Sequence, residues 1–474
     1  MISIVKKFIL PTNSKISKNV IRLAFPVIIS NLSRVLMSVV DVAMVGRLGV
    51  AALAATGMGV MLFWGALSFV IGIRTATQTL ASRRLGQKKF NECGTALHNG
   101  LVMALLYGLP VSWAGFKLAE KVVPFFLSES ESLSLCINYT SIIYISLIFS
   151  SVSFVLQGFF TGIEKTKTHM NVSITSNIVN VYLNAGLIYG SSGVDSFFTA
   201  KGLGFISGLW TWYDFPALGV QGAAIATLIA SIWMLFHYMY YLFSVEARVK
   251  YKTLTPTIDL AMMKRQLKLA IPQSTQEVAI TVGWSIYYKI MGMIGLLELA
   301  TTELIFTIMH ASFMPALGVG QACATLVGKH MGEENIEKAE ISIWESVRWA
   351  EIIMGTMGLV FILLPEFILS FFTNNPEVIH LGVFGLRILG LLQFIDAIGF
   401  TLWFALSGAG NTFFPAVVES ALVWLLLLPA SYITGIILGY GFYGPWLVFP
   451  VYLIIFSLVL YIKIRKGDWK DIKV

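Results

Sequence analysis

Acids placed inside apolar runs are the residues of this chain best suited to chemistry. Asp41 is flanked by Val39, Val40, Val42 and Ala43. A carboxyl group in hydrocarbon costs several kcal/mol unless it is protonated, paired or hydrated. Such a residue is therefore a candidate proton carrier or cation ligand. Asn180 and Asn184, four apart, share one face of a helix. Amides hydrogen-bond an acid and also ligate a cation through oxygen. The second half of the chain has Asp396, with Gln393 one turn earlier, and Glu277 five residues after Pro272. A hard cation wants several oxygens, and Glu277 with Asp396 offers carboxylates for a Na+ site. Glu303 sits near the start of a span, where lipid headgroups are an equally good home for it.

Arginines inside spans work the other way. Arg34 precedes Asp41 by two helical turns, so it either pairs with that acid or faces a cavity and attracts an anionic or zwitterionic solute. Arg74 lies in a second span, and Arg387 precedes Asp396 by nine residues, with structural ion pairing the plain alternative for each. The six histidines lack H-x-x-x-H spacing, and Cys93, Cys136 and Cys323 fit neither a disulfide framework nor a metal pattern.

The elements that must position these groups follow from composition. The chain has 474 residues, 57% hydrophobic and 12% charged, against about 25% charged in soluble domains. Polar surface is too scarce to wrap a soluble body. Hydropathy marks twelve spans near the length that crosses a bilayer: 23–46, 52–80, 96–116, 138–162, 170–190, 218–243, 269–292, 299–327, 342–364, 380–406, 415–438 and 444–462. The N-terminus, alternate loops and the C-terminal tail hold 24 of the 33 Lys and Arg, beginning with Lys6 and Lys7. The opposite loops hold only Arg47, Lys117, Lys121 and Lys201. That asymmetry puts both termini in the cytoplasm. The net charge of +8 thus marks orientation and contact with membrane lipids, not a nucleic-acid footprint. No cleavable signal peptide is evident.

A shift of 246 residues nearly superimposes the chain on itself. Leu23, Ala24 and Pro26 meet Leu269, Ala270 and Pro272; Gly46 and Gly49 meet Gly292 and Gly295. Gly72, Ala76, Thr79 and Gly86 meet Gly318, Ala322, Thr325 and Gly332; Gly162 and Thr166 meet Gly408 and Thr412. Internal symmetry in an apolar chain is a transporter signature. The expected organisation is all-α and membrane-integral, with a lobe at 1–245 and a lobe at 246–474 joined through the basic stretch 244–268. An extra segment at about 191–216, with Phe197, Phe198, Trp210, Trp212 and Tyr213, is expected to rest at the outer membrane interface, as a gate or as decoration.

From Pro26 to Gly49 the sequence resembles the multidrug and toxic compound extrusion (MATE) family, and the similarity extends over essentially the whole chain. Its carriers are Pro26, Asp41, Val45, Gly46, Leu48 and Gly49, then Gln157, Gly158, Gly162 and Thr166 after span 4. Gly408 to Thr412 resembles the partner element after span 10, with Ser407 where an arginine is common, and Gly222 to Thr227 matches the start of span 6. The resemblance implies two six-helix lobes in a V around a central cavity, exporting amphiphilic, mostly cationic solutes against inward H+ or Na+. It also implies ion coupling at Asp41 with Asn180 and Asn184 in the first lobe. Asn184 stands where some proton-coupled members carry Asp, leaving Asp41 the sole first-lobe carboxylate there. Asp396 is similar to an acid of the sodium-coupled bacterial branch, whereas Glu277 is displaced by three residues from that branch's usual Glu. Alternatives are a flippase for lipid-linked saccharides of the same superfamily and an integral-membrane transferase enzyme. The histidines offer the latter no reactive company, and no ATP-binding G-x-x-x-x-G-K-[ST] motif is present. Expected besides are a monomer in the bacterial inner membrane and no cofactor other than the coupling ion.

Overall fold

The computed structural model describes residues 12–127 and 129–473, so Lys6 and Lys7 of the basic start lie outside it. The described chain is helical, with twelve long helices. In the first half these are α1 (Ser14–Gly46), α2 (Val50–Gly86), α3 (Phe90–Phe126), α4 (Ser130–Gly162), α5 (Thr166–Ala200) and α6 (Val220–Leu242). In the second they are α7 (Leu260–Ile294), α8 (Leu296–Gly332), α9 (Ile336–Leu363), α10 (Pro376–Ala409), α11 (Phe413–Ile437) and α12 (Tyr443–Lys466). Ten of them are long and apolar enough to cross a membrane. The two that fall short are α5 and α7, and the reason is instructive. α5 carries Asn171, Asn177, Asn180 and Asn184; α7 carries Gln266, Gln273, Gln276 and Glu277. Asn180, Asn184, Gln266, Gln273 and Gln276 are buried against other helices, whereas Asn171 is exposed, so the helices owe their place to packing rather than to overall apolarity.

The sequence repeat is visible as repeated contact. A Cβ on Gly72 would meet Ser274 Oγ at 2.2 Å and Ala270 O at 2.4 Å; one on Gly318 would meet Ile28 Cγ1 at 2.5 Å and Ala24 O at 3.1 Å. A Cβ on Gly86 would lie 1.9 Å from Lys329 O, and one on Gly332 2.1 Å from Arg83 O. Every partner recurs at the 246-residue shift. Left-handed turn residues recur as well: Lys88 (φ 59°) with Glu334 (φ 56°), and Glu164 (φ 63°) with Gly410 (φ 94°). Across the halves α1 packs on α8, α7 on α2, and α2 on α8.

The halves meet at the end where Thr12 and Ile472 lie. Gln78 Nε2 donates to Gln321 O at 3.0 Å and to Thr325 Oγ1 at 3.0 Å, and Lys329 Nζ pairs with Glu164 at 2.9 Å. Arg83 donates to Ile472 O, and the fully buried Glu345 accepts from Thr12 N at 2.8 Å and from Asn13 N at 3.0 Å. Toward the other end of α1 and α2, a Cβ on Gly46, Gly57 or Gly65 would meet nothing within 4 Å, and the tight contact at Gly59 is with Tyr139 of the same half. The halves therefore close at one end and part toward the other, which is the V expected from the sequence.

The two irregular segments are ordered. The stretch between halves forms a short helix (Val245–Lys250) and then runs along the start of α3. There His98 Nε2 contacts Thr253 O at 2.9 Å, and Asn99 Nδ2 donates to Asp259 O at 2.9 Å. The extra segment begins where Gly190 (φ 73°) breaks α5, and a second short helix (Gly204–Thr211) folds back upon it. Trp210 Nε1 donates to Tyr182 O and Trp212 Nε1 to Tyr182 Oη, both at 2.7 Å. Arg47 lies over the Phe197 ring at 4.7 Å. This segment is thus a packed cap on α5, with the tip of α1 beside it.

Candidate functional site

One face of α1, carrying Ser30, Ser33 and Asp41, is held against α5. Asn177 Nδ2 donates to Ser33 Oγ at 2.7 Å. Asn184 Nδ2 donates to Asp41 Oδ1 at 2.5 Å and to Asn180 Oδ1 at 2.8 Å. Asn180 Nδ2 in turn reaches Thr227 Oγ1 on α6 at 3.4 Å. Asn180 and Asn184 are buried, and Asp41 is partly covered. Both hydrogens of the Asn184 amide are committed, while its Oδ1 is buried without a donor. The cluster holds more oxygen acceptors than protons to fill them, and a proton or small cation is what such a set lacks. All three sequence-predicted residues of this lobe are therefore brought together.

Deeper in the same lobe lies a group the sequence did not reveal. His169 Nε2 meets Gln157 Nε2 and Ser30 Oγ, each at 2.9 Å, and His169 Nδ1 meets Tyr238 Oη at 2.7 Å. Because Gln157 Nε2 only donates, His169 Nε2 accepts and the ring proton sits on Nδ1, bonded to Tyr238. Gln157, one of the family-motif residues after span 4, is thereby committed to a buried histidine. Next to it, a Cβ on Gly158 would meet the backbone O of Arg74 at 2.4 Å and its Cγ at 3.2 Å, so α2 packs on α4 at Arg74 where only glycine leaves room. Arg34, one turn along α1 from Ser30, stands within electrostatic reach of Arg74 and Tyr238. It forms no ion pair with Asp41; among the described residues neither Arg34 nor Arg74 has a carboxylate within salt-bridge distance.

In the second lobe Asp396 is 9% exposed on α10, and Gln393, one turn earlier, donates to Ser312 Oγ at 2.9 Å. Its neighbour in the electrostatic sense is an acid missing from the sequence-based set, Glu419 of α11. Glu419 accepts from Gln276 Nε2, faces Tyr452, and also senses Glu277. Glu277 itself is held loosely by Gln273 Nε2 at 3.5 Å and lies in the field of Arg74 from the other lobe. The displaced Glu277 thus lies between Glu419 of its own lobe and Arg74 of the other, and Gln276 is the one that bonds Glu419. Gln273, Gln276 and Gln393 each bury an amide oxygen without a donor. Among the described residues no group of three His, Cys, Asp or Glu is close enough to hold a metal ion, so a Na+ here would depend on amide and hydroxyl oxygens as well.

Two expected members stand apart. Arg387 is exposed on α10, with no ion pair to Asp396; nine residues is two and a half helical turns, which turns the guanidinium to the opposite face. Glu303 is exposed on α8 beside Tyr288, outside both buried clusters. Glu419 had a signal in the sequence: it is the one charged residue of α11. The His169 cluster had none, because Ser30 and Tyr238 are 139 and 69 residues away from it.

Two halves of apolar helices, related by a repeat and each burying acid and amide groups, make a multi-pass membrane protein of the transporter class. The chain belongs to the MatE family, whose model matches residues 26–185 and again 276–433, once in each half. It is 24% identical to the probable multidrug resistance protein NorM of Thermotoga maritima, over 96% of this chain and 94% of that one. It is also 24% identical to the multidrug resistance protein NorM of Vibrio parahaemolyticus, over 95% of each. A solved MATE structure in complex with MaD3S aligns with a TM-score of 0.85 at 19% identity, covering 99% of both chains.

Proposed function

We propose that the protein is a secondary active exporter of small amphiphilic, mostly cationic solutes, driven by antiport with H+ or Na+. The observation that carries this reading is the acceptor-rich acid cluster in each lobe: Asp41 with Asn180 and Asn184, and Asp396 with Glu419, Glu277 and three unfilled glutamine oxygens. An ion entering either cluster from the open end fills those oxygens and favours the conformation in which they are closed around it. The solute favours the other conformation. That difference in preference is the whole of coupling, since a ligand indifferent to conformation moves nothing. The names of the NorM relatives support a multidrug cargo.

The bacterial NorM relatives favour a bacterial inner membrane, and the basic loops favour both termini in the cytoplasm. The closed end, held by Gln78 and by Lys329 with Glu164, is then the cytoplasmic one, and the V opens outward. The protein acts as a monomer surrounded by membrane lipids.

The test is export of a cationic dye by purified protein in proteoliposomes, under an imposed pH gradient and, separately, an imposed Na+ gradient. Export under one gradient names the ion. Asp41→Asn and Asp396→Asn are expected to abolish the gradient response, and wild-type rates in both would end this reading.

A further inference from the structure

We propose that Arg34 and Arg74 form an anion-binding subsite inside the first lobe, one that takes the carboxylate or phosphate group of an amphiphilic ligand. The proposal rests on the transporter reading above and names a substrate class for it.

Three observations converge. Contacts place the two arginines on adjoining helices: Arg74 lies where α2 packs on Gly158 of α4, Gln157 beside it bonds His169, and His169 bonds Ser30, one turn from Arg34. Each cation lies in the other's neighbourhood and the two repel. Neither has an ion-pair partner among the described residues, and Arg74 Nε is buried with no hydrogen-bond partner at all. Glu277 senses Arg74 only from beyond ion-pair distance. Finally, the groups around them do not cancel the charge, since His169 accepts through Nε2 and Tyr238 is a neutral phenol.

Two bare cations in a low-dielectric setting are costly unless an anion or water meets them. Arg34 and Arg74 are both only partly covered, so their outer nitrogens are accessible. Guanidinium forks match the two oxygens of a carboxylate or phosphate, and two forks fix its orientation. The acids of the same lobe do not compete, because Asp41 is engaged with Asn184. The lobe therefore separates a cation-seeking cluster near the open end from an anion-seeking one toward its middle.

The experiment compares two ligands with one ring system, anthracene-9-carboxylate and anthracen-9-ylmethylammonium, by fluorescence anisotropy on the full-length protein in detergent. Arg34→Gln and Arg74→Gln are each expected to weaken carboxylate binding about tenfold or more, the scale of a lost charged hydrogen bond, while the ammonium ligand changes by less than about twofold. Arg34→Lys, which keeps the charge without the fork, retains part of the affinity. Monodisperse elution and an unchanged thermal transition show that each variant is folded; should a Gln variant fail this check, R34K and R74K carry the comparison. Carboxylate affinity equal to wild type in both folded Gln variants overturns the proposal. Repeating the titration in phosphatidylglycerol and in phosphatidylcholine vesicles, at salt high enough to screen the surface charge, separates the sources: carboxylate binding lost only in the former assigns a net anionic lipid headgroup as occupant, and binding kept in both assigns the solute. Gradient-driven export of the ammonium dye by wild type is measured alongside. Its absence would defeat the transporter reading, whereas intact export with arginine-independent binding defeats this subsite alone.

Discussion

Replacing Gly86 by Ala, or its repeat partner Gly332 by Ala, should pry open the closed end of the molecule. The added carbon at Gly86 would lie 1.9 Å from Lys329 O and that at Gly332 2.1 Å from Arg83 O, where real contacts stay beyond 3.0 Å. The neighbours are backbone carbonyls of the facing helix, so no side chain can swing away. α2 and α8 must therefore separate by roughly 1 Å at that level. Overpacking of this kind costs about 1–3 kcal/mol, a depopulation of the closed end by roughly 5- to 150-fold. Spin labels at Asn91 and Glu337, exposed positions related by the repeat, report the separation by electron–electron distance measurement, with the buried native Cys93, Cys136 and Cys323 replaced by Ala. A longer-distance population should appear in both single variants to a similar extent. A shift in one but not the other would refute the claim that the two halves contribute equivalent contacts. No shift in either, with unchanged thermal stability, would refute the close approach itself.

Two further outcomes are expected. Glu419→Gln keeps a side chain that reaches Gln276 but removes the charge, and should reduce ion-driven export in proteoliposomes about tenfold or more, as Asp396→Asn does; a wild-type rate would remove Glu419 from the site. Lys329→Met and Glu164→Gln break a bridge whose side chains are 25% and 17% exposed, so their double-mutant coupling in thermal unfolding should not exceed about 1 kcal/mol. A coupling of about 3 kcal/mol would mean the pair is effectively dry.

Much of the site was legible because one rule sufficed for it. An acid or amide in an apolar run must be satisfied by something, and Asp41, Asn180, Asn184 and Asp396 are all such residues. The same rule covers Glu419, the lone charge of α11, which belongs to none of the motifs that carry the family resemblance. It misplaced Arg387, because nine residues along a helix is not a whole number of turns. Glu277 shows the opposite limit. Its helix face was readable, but whether that face meets its own lobe or the other depends on where α7 packs, and α7 packs on α2.

The sequence by itself determined the membrane character, the number of long helices and the duplication, since these depend on composition and on periodicity within one stretch of chain. Pro26 with Pro272 and Gly86 with Gly332 announce two equivalent halves in the sequence alone. Only the tertiary structure decided which polar groups meet. The assembly of Ser30, Gln157, His169 and Tyr238, the unpaired state of Arg34 and Arg74, and the closure of one end joined by Lys329 and Glu164 link residues from 12 to 165 positions apart. Side-chain partners at that separation are set by how helices cross, and helix crossing is fixed by the sum of many small packing contacts that no local pattern encodes.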